Sequence, residues 1–145
     1  MRFVYAALGM VVAGGVAGWF WPAQADPMTM DTPTSVGGIE TVCTGVGAEA
    51  QQDPRWQAYP VRIEFSNGGA QFLSGAHVVL TGSGGRAMAN VDCAGSWVLF
   101  KVEPGSYKVT ATLTGQPGGS RSASFSTSRS GQKLVVLDFS VPANK

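Results

Sequence analysis

Side chains able to do chemistry are few in this sequence, and they are dispersed. There is 1 His, His77, and there are 2 Cys, Cys43 and Cys93. A nucleophile–base–acid triad would need His77 as its base. Alternation turns His77 away from the face shared by Ala76, Val78 and Leu80, so it is expected on an exposed surface or rim. Carboxylate-pair hydrolysis needs two acids converging on one bond. The 9 acidic residues, Asp53, Glu64, Asp92, Glu103 and Asp138 among them, stand singly. Asn90-Val91-Asp92 is the nearest approach to a calcium loop and lacks the clustered, alternating oxygen ligands that one requires. Gly82-Ser83-Gly84-Gly85 has no Lys-Ser/Thr ending and opens no helix, so it reads as a hairpin turn and not a phosphate loop. No catalytic residue, metal ligand or cofactor is expected.

The chain of 145 residues is 44% hydrophobic and 13% charged, which suits one domain with a sizeable core. Lys and Arg number 10 against 9 acids, leaving no basic field to hold nucleic acid. Residues 1–25 read as a signal peptide: Arg2, an apolar stretch from Phe3 to Pro22, then Ala23-Gln24-Ala25 with cleavage before Asp26. The alternative is a membrane anchor over residues 3–22, with Trp19, Phe20 and Trp21 at the interface. Cleavage would remove Arg2 from the 10 basic residues and leave 9 against 9 acids, a neutral chain. Either reading exports the remainder, to the periplasm or the cell surface. In an oxidising compartment Cys43 and Cys93 pair most simply as a disulfide, two buried free thiols being the alternative. The closed loop of about 50 residues would be worth on the order of 4 kcal/mol.

The elements that must position these residues are short strands. With 20 Gly and abundant Ser and Thr, the composition favours strands and turns over helices. Residues 26–38 are polar, contain two prolines and have no periodicity, which predicts a flexible lead-in to a domain spanning 39–142. Ile39–Cys43 forms an apolar run, and residues 48–58 form a turn or two of helix interrupted by Pro54. Period-two alternation follows at Val61, Ile63 and Phe65, at Ala76, Val78 and Leu80, and at Ala87, Ala89 and Val91. Residues 97–102 are apolar on both faces over most of their length, as a central strand is. Tyr107, Val109, Ala111 and Leu113 oppose Lys108, Thr110, Thr112 and Thr114 in the clearest alternation of the chain. Strands near 122–126 and 134–141 complete an all-β, antiparallel, seven-stranded immunoglobulin-like or transthyretin-like sandwich.

Between Leu73 and Gly115 the residues Leu73-Ser74-Gly75-Ala76, Gly85, Gly95-Ser96-Trp97 and Pro104-Gly105-Ser106-Tyr107-Lys108-Val109-Thr110-Ala111 stand in an order that resembles the carboxypeptidase regulatory-like domain. That family is a transthyretin-like (prealbumin-like) β-sandwich. The upstream Gly45-Val46-Gly47-Ala48-Glu49 and Tyr59-Pro60-Val61 are similar to small exported bacterial proteins of this type. The resemblance implies fold residues and not chemistry. Gly75 and Ala76 open a strand, Pro104 presets φ before a turn conformation at Gly105 that a Cβ would strain, Tyr107 bonds back to its corner, and Trp97 is a large core body. A zinc carboxypeptidase would need several His and Glu ligands, and a single His cannot supply them.

The expected function is therefore that of a non-catalytic accessory or protein-interaction module of the bacterial envelope. A carbohydrate-binding module of the periplasm or cell surface is the alternative. The partner is an envelope protein or a glycan, with a membrane involved only if the N-terminal segment is retained. Trp56 and Phe72, in segments without clear alternation, are the candidate contact aromatics. Gly45 and Gly47 are candidate points where another backbone could approach closely.

Overall fold

In a computed structural model, residues 25–69, 71–114 and 119–140 are described. The first 24 residues, which carry the expected signal peptide or anchor, lie outside them, as do residues 141 and 142 of the expected domain. Ten strands occur among the described residues. In chain order β1 (Asp26–Pro27), β2 (Thr34–Val36) and β3 (Ile39–Thr44) come first. The single turn of helix α1 (Ala48–Gln51) and a 3-10 turn (Pro54–Ala58) follow, on either side of the break expected at Pro54. Then come β4 (Val61–Ser66), β5 (Ala76–Gly82), β6 (Ala87–Cys93) and β7 (Trp97–Lys101). The last three are β8 (Gly105–Leu113), β9 (Ser120–Thr127) and β10 (Lys133–Asp138).

They form two five-stranded sheets, β1-β6-β5-β8-β9 and β10-β4-β7-β3-β2. The inner residues of the alternating strands meet between the sheets. Val61, Ile63 and Phe65 face Val78, Leu80, Val109 and Ala111, all of them fully buried. Residues apolar on both faces do form a central strand, since β7 is bonded to β3 on one side and β4 on the other.

The sandwich departs from the expected form in three ways. It has ten strands among the described residues and not seven: β1 and β2 are too short to alternate, and β3, which read only as an apolar run, is buried on both faces over most of its length and so shows no alternation. It is not wholly antiparallel: β10 runs parallel to β4, and β1 parallel to β6. β9 lies in one sheet and β10 in the other, so the chain between them crosses the sandwich, and no hairpin turn imposes an antiparallel pairing there. The segment 26–38 also lies within the hydrogen-bonded structure, ahead of the boundary expected at Ile39. Met28 N–H donates to the Asp92 carbonyl at 3.2 Å, and Asp31 N–H to that of Cys43 at 2.8 Å. β2 turns back antiparallel onto β3. Its partners are remote or supplied by a two-glycine turn, so the segment shows no periodicity of its own.

Cys43 and Cys93 are bonded, tying β3 of one sheet to β6 of the other across 50 residues. The bond lies in the buried layer between the sheets. A disulfide of this kind suits an oxidising, exported compartment. Among the described residues no helix is long and apolar enough to cross a membrane.

Candidate interaction surface

The second sheet has an outer face with two unlike halves. Over β3 and β7 the face is covered. Val42 and Leu99 point outward from these strands, and the chain from Ala48 to Tyr59 folds back to bury them under Trp56 and Tyr59. Asp53 caps the 3-10 turn by accepting from Arg55 N–H at 2.9 Å. The Trp56 indole N–H donates to the Ala50 carbonyl at 2.8 Å, joining α1 to the turn. Gln132 Nε2 donates to the carbonyls of Trp56 and Tyr59 at 2.7 and 3.0 Å, holding the cover from the other side. At the rim Tyr59 Oη donates to Glu40 Oε2 at 2.6 Å, and Lys101 Nζ lies 3.2 Å from the same carboxylate oxygen. The Tyr59 hydrogen bond, and after it Lys101, holds the Glu40 carboxyl below its ordinary range. Burial, and then the bond to Glu40, pushes the Tyr59 phenol up.

Trp56 therefore offers no contact surface, being only 1% exposed. Periodicity could not show this, because a five-residue 3-10 turn is too short to display a face. Trp97 is buried as well, although not where a core body was expected. It points outward from β7 into the covered cluster and not into the layer between the sheets. Its ring is closed in by the edge of Phe72 at 5.8 Å and by the Arg62 guanidinium at 4.3 Å. Gly45 lies under the same ring: a Cβ there would come within 2.6 Å of Trp97 Cγ, and its φ is +97°. Gly45 thus accommodates an indole and is not a docking point for a second backbone. Gly47 is exposed with open space around its Cα, at φ +90°. Phe72 retains 36% exposure, as the outer lid on Trp97.

Over β10 no described segment covers the face, and on β4 beside it only Arg62 and Glu64 lie over the sheet. Leu134 and Val136 project from β10 with 46% and 50% of their surface exposed. Opposite them on β4 stand Arg62 and Glu64, whose Nε and Oε2 atoms approach to 2.8 Å. Glu64 is buried between its neighbours, and that burial raises its carboxyl above the ordinary range against the opposing charge of Arg62. β10 is also a sheet edge, bonded among the described residues to β4 alone. The 133↔61 register, with Lys133 N–H donating to the Pro60 carbonyl and Phe139 N–H to that of Ser66, aims odd-numbered residues at β4. The backbone groups of Leu134, Val136 and Asp138 consequently face outward from the edge. Arg121 Nε reaches across from β9 to the outward Asp138 carbonyl at 2.9 Å, as that geometry requires. Exposed apolar side chains and open backbone groups thus coincide at Leu134 and Val136. In the sequence the signal was the run Leu134-Val135-Val136-Leu137, whose alternate residues can face the core only if the others do not.

The remaining candidates have structural surroundings. Gly75, at φ +88°, closes the start of β5 by accepting from Thr114 N–H at 2.9 Å and Thr114 Oγ1 at 2.8 Å, and Ala76 is buried beside it. Tyr107 Oη donates to the Glu103 carbonyl at 2.6 Å, and its ring stacks on Phe125 at 5.8 Å. Pro104 precedes β8, but Gly105 is its first residue, and a Cβ there would meet only the Tyr107 ring at 3.7 Å. The expected steric need for glycine at 105 is absent. Asp26 pairs with Val91 at the sheet edge, beside Ala25.

His77 lies on the outer face of the first sheet, with Nδ1 3.0 Å from Asp92 Oδ1. No hydroxyl bonds to the ring among the described residues. The adjacent concavity of about 380 Å³ is lined by Asp92, Gly75 and Thr114 but not by His77. No group of three metal-ligating side chains occurs among the described residues. No known protein-family model matches the sequence. No curated protein is significantly similar to it.

Proposed function

We propose that this chain is an exported, non-catalytic β-sandwich of the carboxypeptidase regulatory-like type. It acts as an accessory or protein-interaction module in the bacterial envelope, cut from its signal peptide between Ala25 and Asp26. The observation that carries the interaction reading is the bare edge at Leu134 and Val136. Natural edge strands are ordinarily short, charged, proline-bearing or covered, because an open apolar edge templates pairing with another chain. This one keeps its apolar residues uncovered, so a partner that covers them accounts for their retention. The disulfide and the N-terminal sequence support export. A glycan reading would rest on stacked aromatics, and of the two candidates Trp56 is buried and Phe72 offers an edge.

The test is a photo-crosslinking residue at position 136 in cells, compared with one at position 110 on the outer face of the other sheet. A protein adduct from 136, with none from 110, is expected on a chain whose mass begins at Asp26. Adducts from neither position would contradict the interaction reading. So would hydrolysis of a wall or peptide substrate by the purified protein that is lost in His77→Ala.

A further inference from the structure

We infer that the partner of the β10 edge is a second copy of this chain, added antiparallel across a twofold axis at Val135. The inference rests on the interaction reading above and narrows it to one occupant. The outward backbone groups fix which registers are allowed. Two edges bond only when outward-facing residues oppose one another, so Leu134 and Val136 of one copy must meet Leu134 and Val136 of the other. Setting Leu134 opposite Val136 of the second copy uses both residues of both strands. Two hydrogen-bonded pairs then form, and Val135 faces its own copy at the axis.

The same register places like faces together. Opposed residues in antiparallel strands share a face, so Leu134 and Val136 from the two copies would adjoin on the outer side. The two five-stranded sheets, one from each copy, would become one continuous sheet of ten strands, and the apolar rows of the two copies would adjoin side by side on its outer face.

Charge favours this orientation. β10 begins with Lys133 and ends with Asp138, so the antiparallel register sets Lys133 opposite Leu137 of the second copy and one residue along from its Asp138, with the two charged side chains on opposite faces of the sheet. A parallel copy would set like charge beside like. Cleavage before Asp26 would remove Arg2 and leave 9 basic against 9 acidic residues, so two copies do not repel one another at long range. Arg121, already holding the Asp138 carbonyl, marks one limit of the edge and leaves Leu134 and Val136 as its open part.

The first experiment is sedimentation of the disulfide-intact protein as isolated from cells, its N-terminus read by mass. A monomer–dimer equilibrium in the micromolar range is expected. Val136→Lys, which sets a charge on the edge, is expected to weaken the dimer by about tenfold or more. Val136→Pro removes an N–H that β4 does not use, and it should do the same. Thr110→Lys, on the other sheet, should leave the dimer unchanged. Register is read by cysteine pairs. A mixture of Leu134→Cys and Val136→Cys should oxidise to a linked dimer, because hydrogen-bonded opposed Cα atoms lie about 5.5 Å apart. Neither variant alone should do so. A protein monomeric throughout the range overturns the proposal, as does a dimer indifferent to both edge variants or equal linkage in the single-cysteine controls. Should a monomer instead give a photo-adduct from position 136 to a different protein, self-pairing is refuted while the interaction reading stands.

Discussion

The two halves of one sheet face show what covering an apolar row does. On β3 and β7, Val42 and Leu99 face outward and are fully buried, because the chain from Ala48 to Tyr59 returns over them. On β4 and β10, Leu134 and Val136 face the same way and stay half exposed. The same period-two rule set both rows. What differs is a local segment with capped turns and a tryptophan long enough to reach the sheet. The covered half belongs to the fold. The bare half is left for another chain, under our reading.

The contrast predicts a ranking of substitutions. The largest effect is expected at Trp56→Ala, which uncovers Val42 and Leu99 and should cost about 3–5 kcal/mol in urea unfolding. A loss below 1 kcal/mol would mean that the cover is not part of the fold. Replacing Cys43 and Cys93 together with Ala should cost on the order of 2–5 kcal/mol, read by the same denaturation under non-reducing conditions. Gly45→Ala is expected to cost about 1–3 kcal/mol, because it adds a Cβ at a positive φ directly beneath the Trp97 ring. Alanine tolerated there would place Trp97 elsewhere.

A smaller effect separates the acids of the two halves. Glu40, at the rim of the cover, has its carboxyl held below the ordinary value of 4.5, by Tyr59 first and Lys101 second. It therefore contributes stability above that value, lost as pH falls through the lowered one. Tyr59→Phe should flatten the acid side of the stability profile. Glu64, on the bare half, has its carboxyl raised above 4.5 by burial. Its contribution has the opposite sign, being present below about 4.5 and lost as pH rises through the raised value. Glu64→Gln should lose less stability than the parent between pH 4.5 and neutrality. Identical profiles for parent and variants would remove the distinction. The least effect on the monomer is expected from Leu134→Lys and Val136→Lys, within about 0.5 kcal/mol, because the substituted side chains already face solvent.

Much of the sandwich was legible because its strands alternate. The inner residues of β4, β5 and β8 could be read off Val61 to Phe65, Ala76 to Leu80 and Tyr107 to Leu113. β7 could be recognised as central from an apolar run on both faces, although its two outward apolar residues, Trp97 and Leu99, gave no hint of what would cover them. β1 and β2 were not legible, since two and three residues show no period and their partners, β6 and β3, are chosen by tertiary contact. The parallel placement of β10 was hidden for the same reason. Gly105 was over-read, its conformation carrying no steric demand. Gly45 was under-read, its demand coming from a side chain 52 residues later. The bare edge could be sensed in the apolar run 134–137 but not located, because edge position is a property of the sheet and not of the strand.

The most direct test of the open edge is residue-resolved amide exchange across β10 at low and high protein concentration. In dilute protein, the N–H groups of Val135 and Leu137 should be protected by β4, while those of Leu134 and Val136 exchange fast. Raising the concentration should slow Leu134 and Val136 selectively. Uniform protection along the strand at every concentration, or fast exchange at Leu134 and Val136 that concentration leaves unchanged, would contradict the account.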